Sequence, residues 1–224
     1  MHVRLPILLS SSLLFVSLLP SLAPASGSAA VPIVGLPCED CEVALAGLPA
    51  EPPTVARLTA PDESGEPLQL SGIVRDADGR VRAGVIVYAH QTDHRGVYPE
   101  EGVSGPAEVR RHGRLRGWAR TDAEGRYRFE TIRPAGYPDS GLPQHIHLNV
   151  IEPGCATYYI DDVMFQDDPR LTPALRRKLD RGRGGRGIVT PVRTDGVWQA
   201  QRDIVLGARI PGYRACAPAV ASPP

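Results

Sequence analysis

Two phenols and two imidazoles stand close together in this chain of 224 residues, which has only seven Tyr and six His. Tyr98 and Tyr137 precede the run His145-Ile146-His147. In a strand, residues two apart project to the same face, so His145 and His147 point together with Cα atoms about 6–7 Å apart. That separation lets two imidazoles take adjacent positions on one metal. A phenolate is a hard, anionic oxygen donor. Two phenolates beside two imidazoles suit a hard, highly charged ion, and Fe(III) is the obvious biological choice. Each residue alone is a weak signal, because a His pair commonly packs or faces solvent and a Tyr near a turn usually just packs. The combination carries the inference.

The elements that would position these groups read as strands. Gln69 to Val74 is a short strand, and Asp76-Ala77-Asp78-Gly79 is a turn. Val81 to His90 is a longer strand with Val85, Val87 and Ala89 on one face and Ile86 and Tyr88 on the other. Leu115 to Ala119 leads through a second Asp/Gly turn into the alternating run Arg126-Tyr127-Arg128-Phe129. Gln144 to Ile151 alternates again, Tyr158 to Phe165 reads as a further strand or as an edge segment carrying Asp161 and Asp162, and Val197 to Leu206 reads as the last strand. One helix is expected over Thr172 to Arg181, with Thr172 as its cap and Pro173 at its first position. Arg181 to Gly187 (RGRGGRG) reads as a solvated, flexible loop that ends it. Many short strands with Gly and Asp turns predict an all-β sandwich.

Composition narrows the class. Charge is balanced at 25 basic and 25 acidic residues, so no electrostatic argument favours nucleic acid or an anionic membrane. Ile7 to Leu22 is an almost uncharged run behind His2 and Arg4, followed by small residues. It reads as a secretory signal cleaved near residues 25–30 rather than a stable membrane anchor, being short and broken by Pro20. Residues 31–66 then form an extended arm rich in Pro, Ala and Glu, residues 67–213 the main domain and 214–224 a tail. Export, periplasmic or secreted, would place Cys38, Cys41, Cys155 and Cys216 where disulfides form. Zinc would want a second closely spaced pair, which is absent. Four cysteines allow three connectivities; the pairing expected is Cys38 with Cys41 and Cys155 with Cys216.

Three segments match a known family. Gly84 to Tyr98 reads GVIVYAHQTDHRGVY, Leu115 to Phe129 reads LRGWARTDAEGRYRF, and Thr131 to Val150 reads TIRPAGYPDSGLPQHIHLNV. In order and spacing they resemble the core of intradiol ring-cleavage dioxygenases, such as protocatechuate and catechol dioxygenases, over about Leu68 to Tyr213. The resemblance implies a β-sandwich with Fe(III) held by Tyr98, Tyr137, His145 and His147, with Tyr137 and His147 axial and Tyr98 and His145 equatorial. It implies a catecholic substrate, O2 as co-substrate, and cleavage between the two hydroxylated carbons to a muconate-type dicarboxylate. The chain resembles a compact, exported branch, without the long N-terminal helical segment of the familiar catechol dioxygenases.

The chain also departs from the pattern. The familiar enzymes carry an Arg three residues before the first ligand His, where this chain has Leu142. Loss of a buried cation would slow the chemistry. Arg133 and Arg120 are candidates to compensate from behind the ligands. The region Tyr158 to Asp162 would line the site, with Asp162, in place of a Gln, a candidate to act in the pocket or from behind the ligands. His90 and His94 would face one side of their strand in polar or surface roles. Two other readings stay open: a non-catalytic, prealbumin-like sandwich that binds iron or catechols, and zinc or copper chemistry at the same four residues.

Overall fold

In the computed structural model, residues 1–2, 31–35, 37–38 and 40–216 are described. The expected signal segment and its cleavage region, and the tail beyond Cys216, lie outside them. Twelve strands form two sheets among the described residues: β1 (Val55–Arg57), β2 (Pro67–Arg75), β3 (Ile86–Gln91), β4 (Arg116–Arg120), β5 (Arg126–Ile132), β6 (His145–Glu152), β7 (Ala156–Tyr159), β8 (Val163–Phe165), β9 (Ile188–Val189), β10 (Val192–Thr194), β11 (Val197–Gln201) and β12 (Ile204–Val205). One sheet runs β1-β5-β2-β11-β10, with β12 also on β2; the other runs β4-β3-β6-β8-β9, with β7 also on β6. This is the expected all-β sandwich. No helix among the described residues is long and apolar enough to cross a membrane.

Period-two alternation builds the core. Leu70, Val74, Tyr127 and Phe129 face inward from the first sheet, and Val87, Ala89, Ile146, Leu148 and Val150 from the second. Fully burying one such aliphatic or aromatic side chain contributes about 2 kcal/mol. β3 is buried along its whole length because its other face is covered too. Ile86 and Tyr88 turn outward and pack with Ile151 against Ala44, Leu45 and Leu48 of the N-terminal arm. The arm is therefore part of the fold: its 3-10 turn, Cys41–Leu45, lies on the outer face of the second sheet, and β1 adds to the first sheet parallel to β5.

Gly72 marks the tightest approach in the first sheet. A Cβ there would sit 1.9 Å from the Arg202 carbonyl oxygen, which also accepts a 2.6 Å bond from the Tyr127 hydroxyl. Gly72→Ala is therefore expected to destabilise the fold by about 2–3 kcal/mol, read as an earlier midpoint in denaturant unfolding.

Several segments differ from the sequence reading. The strand expected from Val81 begins at Ile86, since Val81 makes only an isolated bridge to Arg75. The run Tyr158 to Phe165 is split into β7 and β8 by Asp161-Asp162, whose side chains bond inward. The last expected strand is split into β11 and β12. A five-residue helix, α1 (Ala107–Arg111), forms where no helix is expected, and the expected helix is shorter, α2 (Pro173–Leu179), with the Thr172 hydroxyl accepting from Leu175 N as an N-cap. RGRGGRG is not a solvated loop. The guanidinium of Arg202, only 1% exposed, donates to the carbonyls of Arg183, Gly184 and Gly185, and Asp161 Oδ2 accepts from Arg183 N. The glycines there give a side chain room to bond the backbone. Both disulfides form as expected, Cys38–Cys41 and Cys155–Cys216.

Candidate metal centre

β6 carries the two imidazoles. Its core face presents Ile146, Leu148 and Val150, so alternation sends His145, His147 and Asn149 to the outer face. The two phenols arrive on loops. After β3 the chain turns at Asp93, whose carboxylate accepts from the backbone N–H groups of Arg95 and Val97, and this turn delivers Tyr98. After β5 a second loop delivers Tyr137. The loops are tied together: Thr92 Oγ1 donates to the Ala135 carbonyl at 2.7 Å, and Ala135 N donates to the Asp93 carbonyl at 3.0 Å. Gly96 lies at the contact, with φ 85° and a Cβ position 2.3 Å from the Gly136 carbonyl oxygen. Gly96→Ala is expected to part the loops and lower metal loading of the purified protein at least about 10-fold, measured by metal analysis at equal protein concentration.

Four donor atoms converge. The Tyr98 and Tyr137 hydroxyl oxygens are 2.8 Å apart. Tyr137 Oη lies 3.2 Å from His145 Nε2 and 3.4 Å from His147 Nε2. The far ring nitrogens are engaged: His145 Nδ1 lies 2.7 Å from the Pro143 carbonyl, and His147 Nδ1 lies 2.9 Å from Asp162 Oδ1. A proton on each Nδ1 leaves each Nε2 with a lone pair aimed at the convergence point. Asp162 is in turn held by the Tyr159 hydroxyl, which donates to it at 2.6 Å. His145, His147 and Asp162 also cluster by themselves, but Asp162 meets His147 on the side away from the phenols.

Burial sets the protonation states. It raises both phenols above the usual tyrosine value, and the Tyr137 hydroxyl adds to the rise at Tyr98. It lowers His145, with the neighbouring His147 adding to the effect. At His147 burial also opposes the charged form, yet the Asp162 carboxylate prevails and holds the imidazole above its usual value. Burial pushes Asp162 up, but His147, with His145 and the Tyr159 hydroxyl, holds it below the usual carboxylate range.

A cavity of about 730 Å³ opens over the cluster, lined by Tyr98, Tyr137 and His147 and walled by Pro37, Cys38, Asn149 and Arg183, among others. His90 and His94 do not share a face, since β3 ends at Gln91: His94 is exposed, while His90 is buried and stacks between His112 (3.8 Å) and His147 (4.5 Å). Cross-strand pairing of His90 with His147 produces this stack. Sequence reasoning passed over His112, whose single position carries no periodic signal. Arg120 pairs with Glu51 at the surface, and Arg133 bonds Gln144 and Asp167; neither lines the cavity. Leu142 is half-buried and does not line it either. Arg183 does, pairing with Asp161 and lying 4.6 Å over the Tyr159 ring.

Known proteins share this arrangement of fold and sequence. The family profile described as Dioxygenase matches residues 48–178. Catechol 1,2-dioxygenase 2 of Acinetobacter lwoffii is 32% identical, over 54% of this chain and 52% of that protein. The protocatechuate 3,4-dioxygenase beta chain of Burkholderia cepacia is 30% identical, over 48% of each. The chain thus spans about half the length of these curated relatives. Among solved structures, the dioxygenase domain of a dioxygenase carbohydrate-binding protein fusion from Streptomyces sp. SirexAA-E superposes with a TM-score of 0.55 at 23% identity, covering 72% of this chain and 92% of that one. Catechol 1,2-dioxygenase from Pseudomonas arvilla C-1 superposes at 0.53 with 21% identity, covering 79% and 69%. The chain belongs to the intradiol ring-cleavage dioxygenase family.

Proposed function

We propose that the chain is a non-haem Fe(III) enzyme that cleaves a catecholic ring with O2 between the two hydroxylated carbons, giving a muconate-type dicarboxylate. The convergence of Tyr98 Oη, Tyr137 Oη, His145 Nε2 and His147 Nε2 carries this reading. The donor set fits a hard trivalent ion better than zinc or copper, because two of its members are phenols. Bound Fe(III) would supply the Lewis acidity that favours a doubly deprotonated catechol. The chain's own residues do the rest. Pro143 and Asp162 keep the imidazoles aimed. As a phenolate, Tyr137 Oη, within 3.4 Å of the three other donors, would be placed to take a proton from an arriving hydroxyl. Arg183 sets positive charge in the cavity wall, where an oxyanion gains most from it.

The test is an absorption spectrum of the purified, iron-loaded protein before and after addition of catechol, with oxygen uptake followed in parallel. A red-brown protein whose band shifts with catechol while O2 is consumed is the expected result; a colourless iron-loaded protein overturns the assignment. Because burial raises both phenols and Asp162 raises His147, iron must displace tightly held protons. Iron occupancy is therefore expected to rise with pH between about 5 and 8, read as growth of the visible band at fixed iron.

Leu142 favours a second reading, in which the site binds iron and catechol without turnover. A catechol-dependent colour shift with no oxygen uptake across a panel of catechols would select it. We also place the protein outside the cytoplasm; its two disulfides support this, and cell fractionation tests it.

A further inference from the structure

The N-terminal arm does more than cover the second sheet. Upstream of Cys38, Val34 N donates to the Thr157 carbonyl at 2.9 Å and Thr157 N to the Pro32 carbonyl at 2.8 Å, pinning the chain to β7. Downstream of Cys41, Ala44 is fully buried against Ile86, Tyr88 and Ile151, and its carbonyl accepts from Trp118 Nε1 at 2.6 Å. Between these anchors Pro37 and Cys38 form part of the cavity lining. The Cys38–Cys41 disulfide closes this segment into a short loop. Asn149, on the same face of β6 as His145 and His147, donates to Cys41 Sγ at 3.3 Å, so the loop is bonded directly to the strand that carries the imidazoles. On the other side Arg111 donates to Asp40 at 2.7 Å.

The cavity is as large as those that hold drug-sized ligands, about 300–1,000 Å³, and so exceeds the needs of one bare ring. A ring with both hydroxyls at the Tyr98, Tyr137 and His147 end would direct any substituent along the remaining walls. Pro37 and Cys38 are one of those walls.

We propose that the disulfide-closed loop around Cys38 and Cys41 is a specificity-determining wall of the cavity, selecting among catechols by the bulk of the substituent remote from the two hydroxyls. This rests on the catechol reading of the site. The disulfide matters because it removes backbone freedom from a loop that would otherwise yield to a larger ligand, and a rigid wall discriminates where a soft one adapts.

The experiment compares catechol, 4-methylcatechol and 4-tert-butylcatechol on the full chain. Three proteins are used beside the wild type: Cys38→Ser with Cys41→Ser, Pro37→Trp with the disulfide intact, and Cys155→Ser with Cys216→Ser as a control for disulfide loss elsewhere. The ratio of KM for 4-tert-butylcatechol to KM for catechol is expected to move about 5-fold or more in the first variant and to rise about 10-fold in Pro37→Trp, as expected of pocket contacts worth one or two methyl groups. The change should fall on KM rather than kcat, and the visible iron band should keep its position. The control should leave the ratio within about 2-fold. An unchanged ratio in both arm variants overturns the proposal, and if the double Ser variant does not fold, Pro37→Trp decides alone. If wild type consumes no oxygen, the turnover reading has failed; the wall is then judged by the same ratio of dissociation constants, measured by calorimetry.

Discussion

A protein in which Tyr98→Phe and Tyr137→Phe are combined is expected to lose its visible absorption and at least about 10³-fold of its oxygen uptake with catechol, while folding normally. The two hydroxyls lie 2.8 Å apart and bond each other. Removing both together leaves no orphan within that pair, and substitution of both partners by apolar groups of like shape is nearly neutral. The Nε2 atoms of His145 and His147, 3.2 and 3.4 Å from Tyr137 Oη, do lose a neighbour, so the apo variant should be about 1–3 kcal/mol less stable than the apo wild type. Metal binding is another matter. Only His145 and His147 remain, and two neutral nitrogens hold a hard trivalent ion poorly. Metal analysis, the absorption spectrum and an oxygen electrode together check the result. Colour that survives the double substitution would remove both phenols from the metal site. Tyr137→Phe alone should be the more damaging single change to turnover, because Tyr137 Oη is the atom that neighbours all three other donors.

The second large effect is expected at Asp162, which touches no metal in the proposed arrangement. Asp162→Ala strands His147 Nδ1 and the Tyr159 hydroxyl, both of which bond this carboxylate. The His147 ring is then free to turn or to shift its proton to Nε2, and iron affinity should fall about 10–100-fold. Competition with a calibrated chelator measures this. Asp162→Asn keeps an acceptor of the same shape and should lose less. In the apo protein the pair also contributes to stability, with a defined pH window. The His147 value is raised above 6.5, so its contribution is full below 6.5 and is lost as pH rises through the folded value. The Asp162 value is depressed below 3.8, so its contribution is present above 3.8 and is lost as pH falls through the folded value. The stability difference between apo wild type and apo Asp162→Ala should therefore be greatest between pH 3.8 and 6.5, as read from denaturant midpoints. A difference that instead grew steadily above pH 8 would contradict the pairing.

The two predictions differ in how their residues could be found. Phenols and imidazoles attract attention by type, and the His-x-His spacing on an alternating segment already places two of them on one face. Asp162 was legible as a candidate only through the family resemblance, and its partners were not legible at all. In the structure the run Tyr158 to Phe165 breaks where its two carboxylates turn to different partners: Asp161 to the Arg183 backbone and side chain, Asp162 to His147 and Tyr159. Strand propensity in the flanking Tyr, Val and Phe residues masks such a break, because buried carboxylates are tolerated only where partners from distant segments meet them. The same cause lies behind RGRGGRG. Composition suggests solvent, yet a buried Arg202 from a segment far along the chain gathers its carbonyls.

Sequence alone determined the all-β class, the two faces of β3, the shared face of His145 and His147 on β6, and the family. The class and the faces follow from period-two alternation and turn residues, which act over a few neighbouring positions, while the family came from the resemblance of three longer segments to intradiol dioxygenases. Tertiary structure decided the rest. It brought the Tyr98 and Tyr137 loops to one point through the Thr92, Asp93 and Ala135 bonds, aimed both imidazoles through Pro143 and Asp162, and laid the Cys38–Cys41 loop along the cavity. A loop's path is set by which distant backbone groups satisfy its own, and no local pattern encodes that partner.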